Sequence, residues 1–187
     1  TLGARTGGGS TDLDVYIDSA APAASSVTGA KAWSSADKKD VDDNSSIKVV
    51  FDESIDIDSV QASDFTISGT GVTSSEIVSI TSGGGTAAAP AAAGTAVYLD
   101  LAADLGPNAK PKVKLVSTIT DLAGNELKPT SSQMTNNGGI TLGTAADGVK
   151  PTLSGMSIGD NLLDSKETTK ISLTSNENLT KTNETLA

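Results

Sequence analysis

The chain has 187 residues, no His, no Cys and one Arg, with 23 acidic against 13 basic side chains and a formal charge of −10. Without imidazole or thiol there is no Ser/His/Asp or Cys/His nucleophilic machinery, no disulfide framework and no zinc-finger or iron–sulfur ligand set. A net charge of this sign also repels a phosphate backbone, which argues against nucleic acid as a partner.

Hydrophobic residues make up 36% and aromatic residues 3%, so a core must be built from Val, Ile, Leu and Ala with only Tyr16, Trp33, Phe51, Phe65 and Tyr98 supplying rings. That is enough for a β-sandwich, in which every second strand residue faces inward. No apolar run reaches the roughly 18 residues a membrane-spanning helix needs. Thr1 does not open a signal peptide, so a secreted protein would be seen here in mature or excised form.

Period-two segments recur along the chain at the spacing of short strands. Strands are expected near residues 25–32, at 47–51 with Ile47, Val49 and Phe51 on one face, at 65–68 and 76–80, then at 97–101, 113–119 and 140–143. Turn formers separate them at Ser68 to Gly71, Gly106-Pro107-Asn108 and Ala123-Gly124-Asn125, and Gly83 to Gly94 is read as a surface loop. Residues 58–64 are expected to form one helical turn. The sum is about seven strands in antiparallel pairing, an all-β fold. Asp40, Asp42, Asp43 and Asn44 are read as an acidic turn before a strand, because a calcium-binding EF-hand loop would require Gly at Ser45 and Glu at Phe51.

Internal repetition organises the chain further. Asp18-Ser19-Ala20-Ala21-Pro22 and Asp147-Gly148-Val149-Lys150-Pro151 share an Asp-x-x-x-Pro frame. Ile47-Lys48-Val49-Val50 is followed by Glu53, and Ile171-Ser172-Leu173-Thr174 by Glu177, at the same spacing. The expected organisation is the tail of a preceding module in residues 1–15, a complete module in 16–145, and a truncated following module in 146–187. Two strands of a sandwich cannot bury an apolar face alone, so the last segment is completed either by further sequence or by strand addition from another chain.

Between Phe51 and Leu127 the order is Phe51-Asp52-Glu53-Ser54-Ile55, Asp64-Phe65-Thr66-Ile67 and Asp121-Leu122-Ala123-Gly124-Asn125. This order resembles the bacterial Ig-like module of microbial surface proteins, with its Phe-x-Glu strand end, x-Phe-x-Val/Ile strand and closing Asp-x-Ala-Gly-Asn turn. In that turn Asp121 and Asn125 can bond local backbone amides, while Gly124 supplies a positive φ. The second copy departs from the pattern, having Thr174-Ser175-Asn176-Glu177 where the first has Phe-Asp-Glu. The acidic, Cys-free, Thr/Ser-rich composition resembles S-layer proteins of bacteria and archaea, ammonia-oxidising archaea among them. The resemblance implies tandem Ig-like sandwich modules, a structural and non-enzymatic role on the cell surface, and self-assembly with copies of itself into a porous lattice whose acidic walls attract small cations. Its alternatives are an adhesin, a stalk or spacer module of a large secreted protein, or a strand-exchanging extracellular filament subunit.

Calcium is the expected cofactor. Asp12, Asp14 and Asp18 precede the complete module and Asp147 holds the corresponding place before the next, so oxygen-rich junctions are the candidate sites. Asn44, Asn178 and Asn183 begin N-glycosylation sequons. No catalytic residue is assigned. The Val15 to Ala20 stretch lacks the Gly of an aspartic-protease loop, Ser35-Ala36-Asp37-Lys38 has no partner motifs, and the scarcity of rings leaves no sugar-stacking platform for paired carboxylates.

Overall fold

A computed structural model describes residues 17–83, 93–159, 167–177 and 179. In chain order the strands are β1 (Ala24–Ser34), β2 (Lys39–Asp56), β3 (Phe65–Thr70), β4 (Ile77–Gly83), β5 (Ala93–Leu101), β6 (Lys110–Leu115), β7 (Ile119–Thr120), β8 (Glu126–Leu127), β9 (Ile140–Thr144), β10 (Leu153–Ile158) and β11 (Ile171–Ser175). One short helix, α1 (Ser131–Asn137), precedes β9.

The strands assemble into a four-stranded sheet of order β1-β2-β5-β4 and a three-stranded sheet of order β3-β6-β9, antiparallel throughout. Counting these seven in chain order as A to G gives A-B-E-D on one sheet and C-F-G on the other, the strand order of an Ig-like sandwich. The expected all-β fold class is therefore observed.

Alternation decides which side chains meet between the sheets. Ile47, Val49 and Phe51 from β2 and Val97, Leu99 and Leu101 from β5 point inward against Phe65, Ile67, Val113, Leu115 and Leu142 of the facing sheet, and all are buried. At about 1.5–3 kcal/mol for each fully buried large aliphatic, this cluster dominates the stability of a core holding few rings. The period breaks after Phe51, where the β2–β5 register shifts between Val50 and Ile55, and Ile55 re-enters the core.

Several elements differ from expectation. Asp40 to Asn44 is part of β2 and not a turn: Trp33 pairs with Asp40 and Lys31 with Asp42 across the β1–β2 ladder. The acidic side chains are tolerated there because Lys31 and Lys150 reach Asp42 and Lys48 reaches Asp40. The expected 113–119 strand ends at Leu115. The N–H of Val116 still donates to the Asp64 carbonyl at 2.8 Å, one step past the Phe65–Leu115 pair, and pairing resumes in the small β7–β8 ladder. Residues 57–64 form two 3₁₀ turns, Ile57–Ser59 and Ala62–Asp64, instead of one helical turn. Helix α1 was not anticipated, since its seven residues are too few for periodicity to show. It is bounded by a Thr130/Gln133 capping box and by Gly138 in the left-handed region at φ 60°. Residues 84–92 of the expected surface loop lie outside the described residues, whereas Gly83 and Gly94 belong to β4 and β5.

Beyond β9 the chain forms a separate antiparallel pair, β10–β11, running from Leu153↔Ser175 to Ile158↔Ile171. Its apolar side chains Leu153, Met156, Ile158, Ile171 and Leu173 are all exposed. Among the described residues no helix is long and apolar enough to cross a membrane.

Candidate functional site

The Asp121 to Asn125 turn joins β7 to β8, and the Asp121 carboxylate closes it. Oδ1 of Asp121 accepts the N–H groups of Ala123 and Asn125, both at 2.8 Å, and Oδ2 accepts the side-chain amide of Asn125 at 2.8 Å. Gly124 sits at φ +88°, as a reversal this tight requires. The roles expected of Asp121 and Gly124 are thus the observed ones, whereas the Asn125 side chain donates to the Asp121 carboxylate and not to a local backbone amide, which is itself a donor.

Two other acidic residues are brought to the same place. An isolated bridge pairs Asp121 with Ile55, which sets the turn beside the end of β2 and so beside Glu53. The segment before β1 is fastened to β2 from the other side: Asp52 accepts the Ala23 N–H at 2.7 Å through Oδ1 and donates its own N–H to the Ala23 carbonyl at 3.0 Å. Pro22 is fully buried behind it. Asp18 then lies within reach of the turn, and its carbonyl accepts a second bond from the Asn125 amide at 3.3 Å. One carboxylate oxygen from each of Asp18, Glu53 and Asp121 falls within 4.8 Å of the other two.

None of the ion pairs among the described residues reaches these three carboxylates. Their environments push them apart. Glu53 is raised above the ordinary glutamate range, first by desolvation, then by the charges of Asp18 and Asp121. Desolvation also opposes ionisation of the buried Asp121. The bonds it accepts from the Asn125 side chain and from the turn backbone outweigh that and hold its carboxyl below the usual range. Such a group is relieved either by a proton on Glu53 or by a cation. The donor set, all carboxylate oxygen with a backbone carbonyl nearby, suits a hard ion such as Ca²⁺, with water completing the six to eight ligands it takes.

Of the expected metal ligands, Asp18 is in this group. Asp147 is exposed, its Oδ1 accepting the Val149 N–H at 3.1 Å, and it is not part of any three-residue acidic group among the described residues. Asp12 and Asp14 lie outside the described residues, as do Asn178 and Asn183. Asn44 is exposed on β2, but Ser46, the third residue of its sequon, is fully buried with its hydroxyl unpartnered. From sequence, Glu53 stands at a strand end and Asp121 in a turn, and neither is an expected ligand. The available signal was that each stands in one of the recurring motifs, together with the Asp-x-x-x-Pro frame of Asp18.

A second polar centre lies on the outer face of the four-stranded sheet. Tyr98 is buried there against Trp33, ring centroids 6.1 Å apart, with the Lys48 ammonium 5.7 Å from the Tyr98 ring centroid. A side chain at Gly83 would meet both rings, its Cβ only 2.5 Å from Tyr98 and 2.7 Å from Trp33.

Residues 18–135 match the family model of the bacterial Ig-like domain. Two crystal structures of the bacterial S-layer protein SbsC are partly similar to this chain. One, of the rSbsC form, has 18% identity over 76% of this chain with a TM-score of 0.47; the other, of the N-terminal part, has 19% identity over 76% with a TM-score of 0.45. This chain spans 16% and 27% of the length of those two chains. A search of curated proteins finds no match.

Proposed function

Because this chain belongs to the bacterial Ig-like domain family, we propose that it serves as a structural module of a tandem array outside the cell, within a protein that assembles as an S-layer lattice. The observation that carries the tandem reading is the β10–β11 pair. It repeats the sequence frame of β1 and β2, placing Glu177 after Ile171 as Glu53 follows Ile47, and it leaves Leu153, Met156, Ile158, Ile171 and Leu173 exposed. An apolar face of this kind is stable once further strands cover it, as β5 and the second sheet cover β2 in the preceding sandwich.

The lattice reading adds composition to architecture. A chain free of His and Cys with a formal charge of −10 is chemically inert and soluble, and an acidic wall concentrates cations. On this reading the Asp18–Glu53–Asp121 group takes Ca²⁺ where the chain enters each module, and Asp147 and Glu177 are the counterparts of Asp18 and Glu53 in the next. The role is structural and not catalytic. The same modules also suit the stalk of an adhesin or large exoenzyme, and assembly separates the two. Full-length protein, stripped from its envelope and returned to membranes with Ca²⁺, is expected to form a two-dimensional lattice visible by negative-stain electron microscopy. Either soluble monomers or discrete fibres under those conditions would rule out the lattice reading, monomers leaving the spacer and fibres a strand-exchanging filament.

A further inference from the structure

The segment joining the sandwich to the β10–β11 pair is packed onto the sandwich at Ala145, Gly148 and Val149. Ala145 is buried and donates its N–H to the Pro111 carbonyl at 2.8 Å. Gly148 lies flat against β1 where that strand shifts register between Gly29 and Lys31 and Ala30 takes φ 53°. A Cβ on Gly148 would stand 2.4 Å from the Gly29 carbonyl oxygen, so the approach is closed to any other residue. Val149 packs against the core cluster, and Lys150 reaches Oδ2 of Asp42 at 2.5 Å while Lys31 holds Oδ1 of the same carboxylate. A second tie lies at the same end of the pair, where Leu153 pairs with Ser175. Glu177 accepts the N–H of Asn108, in the turn before β6, at 3.3 Å.

We infer that residues 145–150 are a docked strap and not a flexible tether, and that the strap together with the Glu177–Asn108 contact holds the β10–β11 pair at a fixed orientation to the sandwich. The Gly148 approach is the specific element, because it depends on shape. The Lys150–Asp42 pair is exposed and adds little by itself. In an array this makes each junction a stiff elbow, so that module spacing is set by the fold. The inference concerns this chain alone and stands whether or not a lattice forms.

The absence of Cys makes the test clean, since two introduced thiols are the only labelling sites. Nitroxides on Ser68→Cys of β3 and Ser157→Cys of β10, both exposed, report the separation across the junction by pulsed electron resonance. A variant with Gly-Gly-Ser inserted after Ala146 supplies the free-tether reference, whose separations spread over more than ~10 Å. The unaltered strap is expected to give one narrow distribution, and Gly148→Val to broaden it towards the reference. A second pair, Ser157→Cys with Thr174→Cys, reports on the β10–β11 pair itself. A wild-type distribution as broad as the reference overturns the inference, whether the intra-pair distance is narrow or not. So does a Gly148→Val variant that stays as narrow as wild type.

Discussion

The hydroxyl of Tyr98 donates to Oδ1 of Asp40 at 2.6 Å, joining residues 58 positions apart on the outer face of the four-stranded sheet. Lys48 donates to the other oxygen of Asp40 at 2.7 Å and lies over the Tyr98 ring. The acidic start of β2, the centre of β2 and β5 are thereby tied at one point. Burial and the Asp40 hydrogen bond raise Tyr98 above the ordinary phenol range. Burial raises Asp40 too, but the bonds from Lys48 and Tyr98 outweigh it and keep the carboxyl below its usual range. Tyr98→Phe removes the tie while keeping the ring, and is expected to lower unfolding free energy by about 1–2 kcal/mol, read as a shift in urea midpoint at constant slope.

The Asp121 turn separates hydrogen-bond loss from backbone strain. Asp121→Ala leaves the amides of Ala123 and Asn125 without their acceptor and is expected to cost about 3 kcal/mol or more. Gly124→Ala meets nothing within 4 Å, so its cost is torsional alone, about 1–2 kcal/mol for a side chain at positive φ. Thermal melts of the two variants should rank in that order.

Glu53 and Asp121 give opposite pH dependences. The raised Glu53 destabilises the folded state once both states are ionised, so its penalty grows as pH rises from the ordinary glutamate value through the raised one. The lowered Asp121 stabilises above the ordinary aspartate value, and that stability is lost as pH falls towards its folded value. In chelator, Glu53→Gln is therefore expected to melt above wild type at neutral pH, with the gap closing on acidification. A gap that widens towards acid would show that Glu53 is not repelled by its neighbours.

Calcium should reverse that order. If the three carboxylates hold the ion, the folded wild type gains RT ln(1 + [L]/Kd) of stability, so its melting temperature rises with Ca²⁺ and falls on chelation, while Glu53→Gln responds weakly. Isothermal titration with Ca²⁺ alone checks the same point. Equal responses from wild type and Glu53→Gln would place any ion elsewhere.

Much of the sandwich was legible because alternation is a local property. Ile47, Val49 and Phe51 share a face by the geometry of a strand, and they share it in the fold. The Asp121 turn was legible for the same reason, since the hydrogen bonds that Asp121 accepts within it come from residues no more than four positions away. Asp40 to Asn44 differs from expectation because charge clusters signal turns only until the partner strand supplies Lys31 and the later part of β2 itself supplies Lys48. Helix α1 was missed because its capping box and Gly138 decide it, not a periodic face.

What the sequence determined by itself was the chemistry available: carboxylates, hydroxyls and amides with no imidazole or thiol, strands of period two, and a frame that begins again at Asp147. What the tertiary structure decided was which of those groups meet. Asp18, Glu53 and Asp121 stand 35 and 68 positions apart, and only the pairing of Ile55 with Asp121 and the fastening of Ala23 to Asp52 bring them within 4.8 Å. The same holds for Gly148 on Gly29. Each contact closes a long loop, and its position follows from the packing of two sheets that no local pattern encodes.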